Sequence, residues 1–218
     1  MFDKYKHIIW DWNGTLLADQ RLSYDIFVEI FSDLGINTPD FAAWREIVHF
    51  PISDFYKSFH PKASDFEIKS LMGKWATQYE MRRGECGLQP GALNLLSNFS
   101  DQGKHQSILS AHTKTELVEA AREQGVLGYF RSIAALEAGM GGGSKVAIGL
   151  KLIEETEQEL GLSRQDHVIV GDSSHDAEVA ECLGIQCILV AQGIFSQSRL
   201  QRLGHPVLCS LEDVSKVF

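Results

Sequence analysis

The sequence lacks the features that mark membrane-spanning, secreted or disulfide-bonded proteins. It has no apolar run of about 18 residues, the length that suggests a membrane span, and no basic N-terminal region leading into an apolar stretch with a cleavage site. Its 4 cysteines form no close Cys-x-x-Cys pair, so reduced thiols are expected. We therefore expect a soluble protein that resides in the cytoplasm.

Positive charge is also scarce. The chain has 20 Lys and Arg residues against 29 Asp and Glu residues, for a formal net charge of −9. Proteins that bind nucleic acid or an anionic membrane need a positive surface, so neither is an expected partner. An anionic substrate must instead be held by local cations, backbone amides or a metal. We expect a small-molecule partner and a protein that is a monomer or a homodimer.

The order of strand and helix patterns predicts an α/β fold. Strand patterns begin at Ile8 and then cover residues 106–110, 131–136, 166–170, 185–190 and 206–209. Helical patterns cover residues 26–34, 41–48, 55–59, 65–81 and 92–99, begin again at 113, and cover 145–160. From residue 90 onward helix and strand alternate, which predicts a parallel, doubly wound sheet.

The region between the first and second strands contains only helical patterns. We therefore expect an α/β core formed by residues 1–17 and 87–218, with a helical cap inserted at residues 18–86 near the ligand crevice. The glycine-rich stretch at 139–143 predicts a mobile or tightly turning loop.

Three of the predicted strands end in small polar or acidic side chains, namely Asp11, Ser110 and Asp172. The carboxyl ends of parallel strands meet at one edge of a sheet, so these groups should lie together. Lys145 opens a predicted helix, and Asp176 lies one helical turn beyond Asp172. Several carboxylates with a hydroxyl and a lysine are typical of magnesium-assisted phosphoryl transfer, and hard oxygen ligands favour Mg²⁺ over zinc.

Each of these groups has a chemical role in such a site. Asp11 can attack phosphorus and form an aspartyl phosphate, while a metal held by Asp11, the backbone carbonyl of Asn13 and Asp172 offsets repulsion between nucleophile and phosphate. Lys145 supplies positive charge for the transition state, and Asp176 is a supporting acid. The other predicted phosphate ligands are the hydroxyls of Thr15 and Ser110 and the backbone amides near Trp12 and Ala111.

At these residues the chain resembles the haloacid dehalogenase-like superfamily of aspartate-nucleophile hydrolases. Its first motif, DxDGT, corresponds to Asp11-Trp12-Asn13-Gly14-Thr15, and its fourth, GDxxxD, to Gly171-Asp172-Ser173-Ser174-His175-Asp176. Ser110 and Lys145 match the second and third motifs in order. The position of the helical insertion is similar to the C1 cap of the phosphoglycolate phosphatase-like branch. The resemblance implies Mg²⁺-dependent hydrolysis of a small phosphomonoester, with the cap closing over the site.

Asn13 departs from the family pattern. In the family, an Asp at this position protonates the leaving oxygen and later activates water, and an amide has no titratable proton for that task. A slow phosphatase, a binding protein with weak turnover, a good leaving group, or a proton donor elsewhere all remain open, with His49 and His112 as donor candidates. The motif is also similar to that of phosphonoacetaldehyde hydrolase, which implies a Schiff-base lysine, here Lys57.

Several residues have a plain structural explanation beside the functional one. Asp176 can be an acid favoured by its helix N-terminus, and Lys151 competes with Lys145 as the site lysine. Four cap cations can grip a substrate carboxylate or remain solvated: Arg45, Lys57, Arg82 and Arg83. Five aromatic residues at helical spacing are predicted to form cap core rather than a substrate platform: Phe50, Phe55, Tyr56, Phe59 and Trp75.

Overall fold

The computed structural model describes residues 4–136 and 144–217, and its centre is a six-stranded parallel sheet. The strands are β1 (His7–Trp10), β2 (His105–Thr113), β3 (Ser132–Leu136), β4 (His167–Gly171), β5 (Gln186–Val190) and β6 (Val207–Leu208). Their order across the sheet is β3-β2-β1-β4-β5-β6. The predicted α/β, doubly wound fold is therefore confirmed. The predicted glycine-rich loop at 139–143 lies outside the described residues.

Ten α-helices are described. They are α1 (Gln20–Ser32), α2 (Phe41–Ile47), α3 (Ile52–Phe59), α4 (Asp65–Arg82), α5 (Ala92–Asp101), α6 (Lys114–Glu123), α7 (Lys145–Leu160), α8 (Ser174–Leu183), α9 (Gln197–Gln201) and α10 (Leu211–Val217). Helices α5 to α8 pack on the sheet, with α6 and α7 against β2 and β3 and with α8 against β4 and β5. None of the helices in the described part of the chain is long and apolar enough to cross a membrane.

The first strand occupies the middle of the sheet because every residue in it is suited to burial on both sides. All four residues of β1 are buried, and β1 pairs with β2 on one side and with β4 on the other. A parallel strand covered on both faces is expected to be apolar along its whole length. Strands β2 and β3 lie on one side of β1, and strands β4, β5 and β6 lie on the other. The strand order therefore switches between β1 and β4, which is the position where α/β sheets open a ligand crevice.

Strand β2 is longer than its sequence pattern predicts. The expected end at residue 110 is wrong, because β2 continues to Thr113 and its register against β3 shifts between Leu109 and Thr113. An irregularity of this kind re-aims side chains near functional sites. It places Ser110 inside the strand, with its side chain still at the crevice.

Residues 20–85 contain α1 to α4 and a short 3₁₀ turn, and no strand is described among them. We call this stretch the cap segment. Ser64 begins α4 with a capping box, in which its hydroxyl accepts from the Glu67 amide and the Glu67 carboxylate accepts from the Ser64 amide. Phe27 of α1 packs against aromatic residues of α2 and α3, including Trp44 and Phe55.

The two chain connections to the cap segment lie beside each other. The amide of Ala18 donates to the carbonyl of Gly87 at 2.9 Å, and Leu17 forms a bridge with Leu88. The chain thus leaves and re-enters the sheet region at one place. The division into a core and a cap at residues 17/18 and 86/87 stays a prediction.

Candidate active site

Residues from five elements of the fold converge at the carboxyl edge of the sheet. Asp11 follows β1, Asp172 follows β4, and Ser110 lies on β2, while Lys145 and Asp176 come from the first turns of α7 and α8. All five side chains are buried and line one cavity of about 350 Å³ between the sheet edge and the cap segment. The sequence therefore predicts this grouping correctly.

Lys145 bridges two of the acids. Its Nζ lies 2.6 Å from Asp11 Oδ1 and 2.7 Å from Asp176 Oδ1. Burial alone would lower the pKa of Lys145, but the two carboxylates outweigh burial and raise it, so the lysine is held charged. The competing lysine, Lys151, is exposed and faces Glu155 at 3.8 Å, away from the cavity.

Asp176 has a structural role and a place in the site at the same time. Its Oδ2 accepts from the hydroxyl of Ser173 at 2.8 Å and from the Ser173 and Asp172 amides at 3.2 Å, which completes the capping box of α8. Its Oδ1 binds Lys145. Burial raises the pKa of Asp176, but Lys145 and these donors overcome the effect and lower it. Asp176 is thus a charged group that fixes Lys145 beneath the nucleophile.

Asp172 is packed between two glycines. A Cβ atom on Gly14 would lie 2.3 Å from Asp172 Oδ2, and one on Gly193 would lie 1.8 Å from the same oxygen, so only glycine fits at both positions. Gly14 also has φ +74°, a left-handed conformation that glycine adopts without strain. The Ile194 amide donates to Asp172 Oδ2, and Thr15 donates to Oδ1 at 3.3 Å. Glycine at position 14 therefore leaves the space that the Asp172 carboxylate occupies.

The acids offer a set of oxygen ligands for a hard divalent cation. One carboxylate oxygen each from Asp11, Asp172 and Asp176 lies within 4.8 Å of the others. Burial and the charges of Asp11 and Asp176 raise the pKa of Asp172, and none of the described basic side chains forms an ion pair with it. Burial likewise raises the pKa of Asp11, against the opposing effect of Lys145. The oxygen-only ligands and excess negative charge fit Mg²⁺.

The predicted phosphate ligands divide into two groups. Ser110 and Ala111 line the cavity, whereas Thr15 and Trp12 do not. Thr15 donates to Asp11 and Asp172 at 3.3 Å each, so its hydroxyl orients the two acids. The Trp12 side chain is buried, and its backbone amide lowers the pKa of Asp11 through a hydrogen bond.

The side chain of Asn13 is held by a residue that the sequence patterns do not single out. Asn13 Nδ2 donates to Asp19 Oδ2 and to the Tyr79 hydroxyl, both at 2.6 Å, and the Tyr79 hydroxyl donates to Asp19 Oδ2 at 2.7 Å. The Gly14 amide donates to the other Asp19 oxygen at 2.7 Å. Asp19 is 3% exposed and lines the cavity, and burial raises its pKa against the hydrogen bonds from Tyr79 and Asn13.

A weak sequence signal for Asp19 does exist. It is the first acid after the apolar run Leu16-Leu17-Ala18 and stands just before a helix, a position that also suits a helix-cap residue. Its side chain makes no cap hydrogen bond with α1. The structure therefore places a second acid at the nucleophile turn, displaced from the position where the family motif has one.

The proton-donor candidates lie in different places. His112 lines the cavity, with its ring stacked on Tyr79 at 6.0 Å between centroids. His49 does not line the cavity and instead packs against Phe55 at 5.6 Å. Lys57 is also outside the cavity, paired with Asp65 at 2.7 Å, and that hydrogen bond raises the lysine pKa. A Schiff-base lysine needs the opposite shift.

The cap cations do not reach the cavity. Arg45 donates to the carbonyls of Ala191 and Phe195 at 2.8 and 2.7 Å, and so links the cap segment to the loop after β5. Arg82 pairs with Glu29, and Arg83 pairs with Glu80, Glu119 and Glu123. The predicted cap-core position is confirmed for Phe55 and Tyr56, which are buried, and for Phe59 and Trp75, which pack against the core, whereas Phe50 is 43% exposed. All of these residues except Phe59 also line the cavity.

The fold and the site together define a parallel α/β protein with an aspartate at the carboxyl end of its central strand. Residues 8–190 match the family model described as haloacid dehalogenase-like hydrolase. The chain belongs to this family, as the motifs at Asp11, Ser110, Lys145 and Asp172 predict. No curated protein gives a significant sequence match.

Solved structures share the fold over nearly the whole chain. A predicted phosphatase from Clostridium acetobutylicum is 17% identical, with a TM-score of 0.77 and coverage of 97% of both chains. A haloacid dehalogenase-like family hydrolase from Streptococcus pneumoniae is 21% identical, with a TM-score of 0.76 and coverage of 99% of both. A predicted phosphoglycolate phosphatase from Haemophilus somnus is 15% identical, with a TM-score of 0.73 and coverage of 98% of both.

Proposed function

We propose that this protein is a magnesium-dependent phosphatase of a small phosphorylated metabolite that works through an aspartyl phosphate on Asp11. The observation that carries the proposal is the placement of Asp11 in the cavity, with Lys145 on one carboxylate oxygen and with Asp172, which forms no ion pair with a described basic side chain, beside it. The names of the fold neighbours, a phosphatase and a phosphoglycolate phosphatase, support the same reaction class.

The reaction consists of two displacements at phosphorus, and Asp11 is the nucleophile of the first. Asp11 attacks phosphorus, the bond from phosphorus to the leaving oxygen breaks, and the leaving oxygen takes up a proton to become the alcohol. A water molecule then attacks the same phosphorus and loses a proton, the bond from phosphorus to Asp11 breaks, and orthophosphate and the Asp11 carboxylate are released. Lys145 and the Ser110 hydroxyl face the cavity floor, where they offset the negative charge of the phosphoryl oxygens.

The metal would be held by Asp11, Asp172 and the backbone carbonyl of Asn13, and Mg²⁺ bound there would reduce repulsion between the nucleophile and the phosphate. Asp176 is committed to Lys145 and to the start of α8, so it supports the site from one layer below. Asp172 is then the acid whose charge a bound cation would stabilise most, because burial and the neighbouring acids raise its pKa.

The cap segment supplies the roof of the cavity. We propose that residues 18–86 form a cap domain over a core of residues 1–17 and 87–218, and that the cap excludes water and selects the leaving group. The link from Arg45 to the carbonyls of Ala191 and Phe195 ties this roof to the core in the observed state.

The test is a phosphate-release assay on a panel of phosphomonoesters with and without Mg²⁺. We expect Asp11→Asn to abolish turnover and Asp172→Asn to remove the Mg²⁺ dependence of thermal stability. Asp101→Asn is the matched control, because Asp101 is exposed at the end of α5 and should leave both readouts unchanged. Unchanged, Mg²⁺-dependent hydrolysis by Asp11→Asn would overturn the proposal.

A binding protein with weak turnover is the second candidate, and the Asn13 amide favours it because this position carries no transferable proton. Saturable binding of phosphate analogues without measurable phosphate release would identify that case. Cleavage of a phosphonoacetaldehyde-like substrate is less favoured, since Lys57 is exposed and paired with Asp65 outside the cavity.

A further inference from the structure

The wall of the cavity opposite the catalytic acids is aromatic. Six ring-bearing residues of the cap segment line it: Phe27, Trp44, Phe50, Phe55, Tyr56 and Trp75. They come from α1, α2, α3, α4 and the turn before α3, and the Phe27 ring lies 5.3 Å from that of Phe55. A pocket of this composition gains most from apolar or ring-shaped ligand groups.

The described residues of the same wall include no unpaired lysine or arginine. Among the described lining residues Lys145 is the sole lysine or arginine, and it is already paired with two carboxylates at the cavity floor. The lining histidines face their own acids, with His112 3.9 Å from Glu116 and His175 3.8 Å from Glu178. Asp19 adds a further carboxylate to the lining.

The cations of the cap segment cannot compensate in the observed state. None of the described lysines and arginines of the cap segment lines the cavity. Arg45 is bound to two backbone carbonyls, and three others pair with acids outside the cavity: Lys57 with Asp65, Arg82 with Glu29, and Arg83 with Glu80. A substrate carboxylate placed against the aromatic wall would thus lose its hydration without gaining a charged partner. Burial of an unpaired charge is strongly unfavourable.

We propose that the substrate's leaving group is an uncharged alcohol that carries a ring or a comparably bulky apolar group, and that carboxylate-bearing esters such as phosphoglycolate are poor substrates. This inference rests on the proposed function, since it names the substrate class of the same site. The cavity volume of about 350 Å³ is large enough for such a substrate. An apolar cavity of about 150 Å³ holds benzene, which leaves room for a phosphoryl group beside a six-membered ring.

The first experiment compares benzyl phosphate with phosphoglycolate. Both are esters of primary alcohols, so a difference in kcat/KM reports contacts with the leaving group more than the reactivity of the bond. We expect kcat/KM for benzyl phosphate to exceed that for phosphoglycolate by at least tenfold, and a benzyl phosphate with a para carboxylate to lose most of that advantage. Equal or higher kcat/KM for phosphoglycolate would overturn the inference and leave the proposed function intact.

A substitution in the wall tests the charge argument directly. Phe50 lines the cavity and is 43% exposed, so Phe50→Arg should fold. We expect Phe50→Arg to shift the kcat/KM ratio toward phosphoglycolate by at least tenfold. Phe66→Arg is the matched control, because Phe66 is an 81% exposed residue of α4 outside the cavity, and its ratio should stay that of the unmodified protein. An unshifted ratio in Phe50→Arg would contradict the proposal.

Binding measurements keep the inference testable if the proposed function fails. In 2-phenylethylphosphonate and 3-phosphonopropionate a methylene replaces the bridging oxygen of the two esters, so neither can be hydrolysed there. If no ester turns over, the phosphatase proposal is wrong, and titration calorimetry of the two phosphonates decides the ligand class. At least tenfold tighter binding of the phenyl compound, reduced in Phe50→Arg, supports the inference; equal affinities overturn it.

Discussion

The side-chain amide of Asn13 lies 2.6 Å from the carboxylate of Asp19, and both residues line the cavity above the nucleophile. Asp19 is buried and also accepts the Gly14 amide at 2.7 Å, so the turn after β1 is built around this acid. The amide at position 13 therefore acts as a hydrogen-bond donor to a carboxylate six residues further along the chain.

This pairing changes what Asn13→Asp should do. The substitution replaces a donor with a second carboxylate against a buried one, so a hydrogen bond to a charged group is lost and like charges meet. We expect the free energy of unfolding to fall by about 2 kcal/mol and the Tm by about 4–8 °C. Denaturant and thermal unfolding measure the change. Stability equal to that of the unmodified protein would contradict the role assigned to Asp19.

The double variant Asn13→Asp with Asp19→Asn exchanges the two groups and keeps the hydrogen bond. We expect its stability to return to within about 1 kcal/mol of the unmodified protein. Because an acid then occupies the motif position, phosphate release should rise by about 10²- to 10⁴-fold, the range of general acid–base catalysis. A turnover no higher than that of the unmodified protein would mean that the proton is carried by another group, with His112 as the cavity histidine to test next.

Tyr79 joins the cap segment to the nucleophile turn. Its hydroxyl contacts both Asp19 and Asn13, whereas the hydroxyl of Tyr24 donates to the Pro39 carbonyl at 2.8 Å within the cap segment. We expect Tyr79→Phe to cost about 1.5–3 kcal/mol, because the lost bond is to a charged acceptor, and Tyr24→Phe to cost about 0.5–1.5 kcal/mol. Unfolding experiments on the two variants measure this difference.

Measurements of KM distinguish a role of Tyr79 in holding the cap segment over the site from a general contribution to stability. If Tyr79 helps to hold the roof over the site, Tyr79→Phe should raise KM severalfold at a temperature where the protein stays folded, while Tyr24→Phe leaves KM unchanged. A KM that moves equally in both variants would assign the tyrosine a general packing role.

Lys145 should be needed for both folding and turnover. Removing it leaves Asp11 and Asp176 buried without a cation, and loss of one partner from a buried pair costs about 3–5 kcal/mol. We expect Lys145→Met to destabilise the protein by that amount and to reduce turnover by about 10²-fold or more. Lys151→Met is the control on the same helix, since Lys151 is 77% exposed, and its stability should change by less than about 0.5 kcal/mol. Equal effects of the two substitutions would show that Lys145 is not the site lysine.

Local sequence patterns predict much of this fold because they report burial. The buried and mostly apolar strands β1 and β4, the capping box at Ser64 and the glycine that ends α8 are all encoded by neighbouring residues. The extension of β2 to Thr113 could not be predicted in this way. It depends on a register shift against β3, which is a property of two strands rather than of one.

In the site, too, some features follow from local sequence and others depend on contacts between distant segments. The grouping of Asp11, Ser110 and Asp172 follows from parallel strand ends, and family motifs reinforce it. The contacts of Asp19 do not follow, because one partner, Tyr79, lies 60 residues away on α4. The dual position of residues such as Phe55, in the cap packing and on the cavity wall, also requires the relative placement of cap segment and sheet.

We expect acid to destabilise the protein because two buried histidines begin the central strands β1 and β4. His7 and His167 are fully buried on neighbouring strands with their Nδ1 atoms 2.9 Å apart, and His7 Nε2 also bonds the Ser107 hydroxyl at 2.8 Å. Burial, then the proximity of His167, lowers the pKa of His7 to about 3, and burial lowers that of His167 to about 4.

The sign of the pH effect follows from proton uptake by the unfolded chain. Unfolded histidine binds a proton below pH ~6.5, while the folded pair stays neutral, so each falling pH unit favours the unfolded state until the folded pKa values are reached. Stability is therefore full above pH ~6.5 and is lost toward pH 4, with a loss of about 2 kcal/mol from His7 alone at pH 5.

The measurement is Tm between pH 7.5 and pH 4.5 for the unmodified protein and His167→Asn. The comparison separates the histidines from the buried carboxylates, whose raised pKa values act in the opposite direction. Because one protonating group is removed and the like-charge contact with His7 disappears, we expect the pH dependence of His167→Asn to be shallower. His60→Asn, at the end of α3, should keep the full slope. Parallel curves for the unmodified protein and His167→Asn would show that the buried pair does not set the acid limit.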